Sequence, residues 1–73
     1  MTDVEISELK QLGEKLRTLR QSKGYSQERF ADLTNLDRTY ISGLERGKRN
    51  PSFLILKRIS SVLKIKPSEL LGE

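Results

Sequence analysis

The chain contains no cysteine and no histidine among its 73 residues. Disulfides and thiolate metal sites are therefore excluded, and a reducing compartment fits. The missing histidine removes the commonest metal ligand and the usual general base near neutral pH. Serines and carboxylates occur, but nothing stands ready to activate them, so no enzyme class is supported and no metal or cofactor is expected. No apolar run approaches the ~20 residues needed to span a membrane, and no signal-peptide pattern opens the chain. A soluble, cytoplasmic protein is the expectation.

Length allows a single domain, residues 1–73. A chain of this size buries only about 60 % of its unfolded surface. One small core then supplies roughly 3–5 kcal/mol, and oligomerisation is a common supplement. Fourteen Lys and Arg against ten Asp and Glu give a net charge of +4, which favours an anionic partner modestly. Position says more. Asp3, Glu5 and Glu8 open the chain, whereas Arg38, Arg46, Lys48, Arg49, Lys57 and Arg58 follow its middle with only Glu45 among them. Such a basic stretch is the footprint of a nucleic-acid binder, the plain alternative being a solvated charged face.

Hydrophobic spacing divides the chain into five helices. Met1 to Glu5 reads as a frayed start. From about Ser7 to Ser22, Leu9, Leu12, Leu16 and Leu19 recur at helical steps and form one apolar stripe. Gly24 then ends the helix in the left-handed conformation. Gly13, inside the pattern, either admits a close neighbour or marks a later start of regular helix. Ser26 caps a short second helix from Gln27 to about Leu33, with Phe30, Ala31 and Leu33 inward. Asn35, which tolerates a left-handed backbone, makes the turn. Asp37 caps a third helix running to about Arg46, and Gly47 terminates it. Two short helices joined by such a turn form a helix-turn-helix unit, 26–46.

The third helix has two unlike sides. Ile41 and Leu44 form an apolar back, whereas Arg38, Thr39, Ser42 and Arg46 form a front of hydrogen-bond donors, followed by Lys48-Arg49. The major groove of DNA admits one helix and presents base-edge acceptors to it. Arg38 is the expected base reader, since arginine bidentate to guanine is the commonest specific contact. The bland alternative pairs it with Asp37 or Glu45. Thr39 can meet a thymine methyl or a phosphate. Tyr40 is open between phosphate contact, stacking near a dyad and partial core packing. Arg46, Lys48 and Arg49 suit phosphates, as flexible basic loops neutralise charge without fixed geometry. Gln27 can offer a phosphate both its amide and a helix N-terminus. Glu45, an acid inside a basic surface, makes sense if it turns inward.

Ser52 caps a fourth helix, about Phe53 to Leu63, and Pro67 opens a short fifth one. The fourth is apolar on more than one side. Leu56, Ile59 and Leu63 face inward, extended by Ile65. Leu54, Ile55 and Val62 project elsewhere, which calls for burial against a second partner. Another copy of the chain is the simplest partner, with Leu70 and Leu71 closing the core or the same interface. The alternative for Ile55 and Val62 is the core itself.

SQERFADLTNLDRTYISGLERGKRNPS and the closing LKRISSVLKIKPSELL resemble the helix-turn-helix domains of lambdoid phage repressors, over roughly Leu12 to Leu71. LDRTYISGLERGKRNPS further resembles the controller proteins of restriction–modification systems, which time endonuclease expression relative to the methyltransferase. The resemblance implies an all-α, five-helix, lambda repressor-like bundle that binds a double-stranded DNA operator as a homodimer. RNA polymerase would be a further partner on activation, and no small-molecule ligand is implied. Gln27 matches a phosphate contact of the family. Arg38 and Thr39, with Tyr40 beside them, match its base-reading positions. Ser42, Arg46 and Arg49 match backbone or base contacts of controller proteins. Arg20 and Glu45 match a structural ion pair. Two departures stand out: Asn35 replaces the usual turn glycine, and Gly43 removes a side chain that some repressors use on bases, so readout should lean on the helix's N-terminal end. Rival readings are a stand-alone phage or plasmid repressor and an antitoxin-like module that binds protein instead of DNA.

Overall fold

Each helix start is written in the residue before it. In this computed structural model, which describes residues 1–72, the order is α1 (Asp3–Ser22), α2 (Gln27–Thr34), α3 (Arg38–Glu45), α4 (Phe53–Leu63) and α5 (Pro67–Leu70). The Ser26 hydroxyl accepts from the Arg29 N–H at 3.0 Å, and that of Ser52 from the Ile55 N–H at 3.2 Å. Each satisfies a backbone donor that the first turn leaves free. Asp37 occupies the cap position of α3 without such a bond. α1 begins earlier than its leucine stripe indicates. Thr2 Oγ1 accepts from the Glu5 N–H at 3.1 Å, and the Thr2 N–H donates to Glu5 Oε1 at 2.8 Å. This capping box replaces the expected fraying, because a stripe reports only the turns that face a core. The bond from the Thr2 backbone, then that from its side chain, holds the Glu5 carboxyl below its usual range.

The helix ends share one device. Lys48 N–H reaches Gly43 O at 2.8 Å while Gly47 N–H reaches Leu44 O at 3.1 Å. The same pattern joins Leu36 to Ala31 and Ile65 to Ser60. A left-handed residue sits at each turn: Asn35 at φ 56, Gly47 at φ 74 and Lys64 at φ 59. These bonds satisfy the orphan carbonyls and turn the chain sharply, which keeps the loops short. Asn35 thus does the work of the usual turn glycine.

The core is Leu16, Phe30, Ala31, Ile41, Leu44, Ile59, Leu63 and Leu70, so every helix contributes to it. Burial of each larger side chain is worth about 1.5–3 kcal/mol. Two expectations need correction. Leu33 is 37 % exposed, and Thr34 is buried in its place. Phe30, Ala31 and Thr34 share the inward arc of α2, while Leu33 lies at its edge. The Thr34 hydroxyl is satisfied at 2.7 Å by donating to Phe30 O. Leu70, left above between the core and the dimer interface, is 1 % exposed and belongs to this chain's own core, not to an interface. Pro67 starts α5 close enough to α1 and α4 to bury it.

Gly13 resolves as a close approach. It is buried against α3, and a Cβ there would overlap the carbonyl groups of Leu44 and Glu45. α1 runs through it without a break. The glycine lets α1 lie directly on the end of α3.

Candidate nucleic-acid interface

The back of α3 is fixed by apolar contact and by charge. Ile41 and Leu44 are buried, and Glu45 beside them is only 8 % exposed. Arg20 meets it with both faces of a fork: Nε donates to Oε2 at 2.6 Å and Nη2 to Oε1 at 3.0 Å. Nη1 of the same guanidinium donates to Tyr25 O at 2.7 Å, and Gln27 Nε2 donates to Glu45 Oε1 at 3.1 Å. Among the described residues no buried side-chain polar atom lacks a partner. A buried pair with that degree of satisfaction joins four chain segments, because Arg20, Tyr25, Gln27 and Glu45 come from α1, the turn after it, α2 and α3. Removing one partner would leave a buried charge alone, at a cost of about 3–5 kcal/mol.

The front of α3 is arranged oppositely. Arg38 and Thr39 are exposed on its first turn, and Ser42 is half-buried one turn later. Arg20–Glu45 is the sole ion pair among the described residues, so Arg38 is bound to neither Asp37 nor Glu45. Arg46 lies back along the helix, Nε donating to Ser42 O at 3.3 Å, and Lys48 is exposed beyond it. Tyr40 is half-buried, with the Arg49 guanidinium carbon 5.9 Å from its ring centroid. Arg49, though exposed, thus lies alongside Tyr40. Gln27 stands at the start of α2, its amide nitrogen already engaged by Glu45.

Two basic residues counted above as one stripe have structural partners. Arg58 Nη1 lies 3.5 Å from the carbonyls of both Thr34 and Asn35. It faces the negative end of α2 and braces the turn into α3. Lys57 Nζ sits 5.5 Å from the Phe53 ring centroid. Sequence reasoning missed both: Arg58 because nothing local shows that α4 meets the end of α2, Lys57 although its partner lies one turn back on the same helix. Phe53 and Leu54 are 65 % and 70 % exposed at the start of α4, whereas Ile55 and Val62 are half-buried against the core.

A short helix held rigidly from behind, with unpaired cations in front, defines a helix-turn-helix reading head. The chain belongs to the helix-turn-helix family, whose model matches residues 16–70. Control protein C.MunI of Mycoplasma sp is 46% identical over 74 residues, covering 100% of this chain and 95% of that protein. The restriction-modification controller protein C.AhdI from Aeromonas hydrophila is 45% identical with a TM-score of 0.85, over 88% of this chain and 97% of that one. SinR, the master regulator for biofilm formation, solved in complex with DNA, is 33% identical with a TM-score of 0.79, over 82% of this chain and 97% of its own. Within the family the chain is a transcription regulator of the controller type.

Proposed function

We propose that the protein binds a pseudo-palindromic DNA operator as a homodimer and sets the expression of a restriction endonuclease relative to its methyltransferase. The observation that carries this reading is the asymmetry of α3. Its back is locked by Arg20–Glu45, while Arg38 and Thr39 stand exposed on its first turn. The likeness to SinR, solved in complex with DNA, supports DNA as the ligand. Dimensions agree as well. The chain extends 32 × 24 × 21 Å, and two copies side by side can present recognition helices to successive major grooves about 34 Å apart.

In this reading Arg38 and Thr39 read bases, with Tyr40 and Ser42 beside them, while Arg46, Lys48 and Gln27 hold phosphates. Phe53 and Leu54 seat the second copy, flanked by Ile55 and Val62, because they expose large apolar side chains at the start of α4. Control comes from concentration and cooperativity, and on activation RNA polymerase is the further partner.

Selection of bound duplexes from a random pool tests the operator. A two-fold-symmetric motif is expected. Uniform, weak binding that moderate salt abolishes would mean charge alone, and an interaction module would replace the regulator. Sedimentation of Leu54→Asp tests the dimer: a folded monomer is expected, and an unchanged dimer would move the interface elsewhere.

A further inference from the structure

Gly43 is buried within α3, and the atoms nearest to where its side chain would stand belong to a side chain from outside the helix. A Cβ at this position would lie 2.9 Å from Arg49 Cγ and 3.3 Å from Arg49 Nε. The stem of Arg49 thus occupies the space that any other residue would fill. Its guanidinium carbon reaches 5.9 Å from the centroid of Tyr40, within the range of cation–π attraction. Tyr40 and Gly43 are three apart and share a helix face. The turn that brings Arg49 back is itself fixed: Gly47 has φ 74, and Lys48 N–H is bonded to Gly43 O at 2.8 Å. Arg49 remains exposed at its tip.

We propose that Gly43 is a positioning residue for DNA readout: by having no side chain it forms, with Tyr40, a seat that orients Arg49 as a second reading arm before DNA arrives. A long side chain ordered in advance loses less freedom on binding and presents its fork in one plane. The weak helix former in the reading helix therefore extends recognition into the loop. Its function is to receive an arginine from residue 49. The inference rests on the proposed DNA-binding face.

The test compares wild type, Gly43→Ala, Arg49→Ala and the double variant on two duplexes, the selected operator and a scrambled duplex of equal length, with thermal unfolding of each protein. Alanine is the better helix former, so Gly43→Ala is expected to unfold at or above the wild-type temperature. Its ratio of operator to scrambled affinity should nevertheless fall about tenfold, the size of one lost specific contact. Arg49→Ala should lose as much, and the double variant no more than Arg49→Ala alone. Additive losses, or wild-type discrimination by Gly43→Ala, would overturn the proposal. Arg49→Lys covers the case in which Gly43→Ala fails to fold. It keeps the charge without the planar fork, and is expected to hold scrambled-duplex affinity while losing the ratio; a wild-type ratio would also defeat the idea. Arg38→Ala serves as the separate control. If wild type and Arg38→Ala bind both duplexes alike, the operator reading itself has failed.

Discussion

Arg20 and Arg38 both belong to the machinery of α3, on opposite sides of it. Arg20 is 7 % exposed, spans Glu45 with a bidentate bond and donates its remaining nitrogen to Tyr25 O. Arg38 is exposed and has no carboxylate partner among the described residues. On the proposed reading of Arg38, the difference teaches how a chain this small would build a precise reader. A base contact is useful only if its backbone is held within a fraction of an ångström, so the support must be rigid. The buried arginine supplies that rigidity, leaving the exposed one its full set of donors for a ligand.

The comparison breaks first at Glu45. Glu45→Ala leaves Arg20 buried and unpaired, and should cost about 3–5 kcal/mol in denaturant unfolding. A loss below roughly 1 kcal/mol, the size of an exposed pair, would show that the bond is a surface feature. Next comes Gly13, where α1 meets α3. Gly13→Ala gains helix propensity but forces a methyl against the Leu44 and Glu45 carbonyls, and a net loss of about 1–3 kcal/mol is expected. A stabilised protein would mean that the helices separate freely. On the front, Lys48→Ala should leave stability within about 0.5 kcal/mol. It should weaken binding evenly across duplex sequences and lower the salt slope by about 1; a sequence-selective loss would make Lys48 a reader.

The smallest effect concerns α1's first turn, remote from both sides of α3. The Glu5 carboxyl is held below its ordinary range by bonds from Thr2. Its contribution is therefore present above the unfolded-state range and disappears as pH falls through the folded-state value. Protection of the first amides of α1, taken relative to the intrinsic exchange rate at each pH, should fall on acidification, and Glu5→Gln should remove much of that dependence. Protection that is flat with pH would leave the capping box without a role.

Much of this was readable from the sequence because it is local. Ser26, Ser52 and Pro67 mark helix starts, Asn35 and Gly47 mark left-handed ends, and Ile41 and Leu44 define the back of α3 by spacing alone. What failed depends on tertiary placement. Leu33 and Thr34 compete for the same arc of α2, and hydrophobicity picks the wrong one because a hydroxyl bonded to its own helix can be buried. Leu70 is as apolar as Leu54, and only the path of α5 decides which faces inward. Gln27 and Arg58 look like ordinary surface donors until Glu45 and the Asn35 turn are seen against them. Gly43 was visible as an anomaly, but the arginine that explains it arrives from beyond the helix.

Arg38→Ala is the most direct test of the central claim, measured as thermal unfolding and as sequence preference from the same random duplex pool. An unfolding temperature equal to wild type, with a guanine preference lost symmetrically from both half-sites, is the predicted result. An unchanged motif, or a variant that loses stability along with binding, would contradict the division of α3 into a structural back and a reading front.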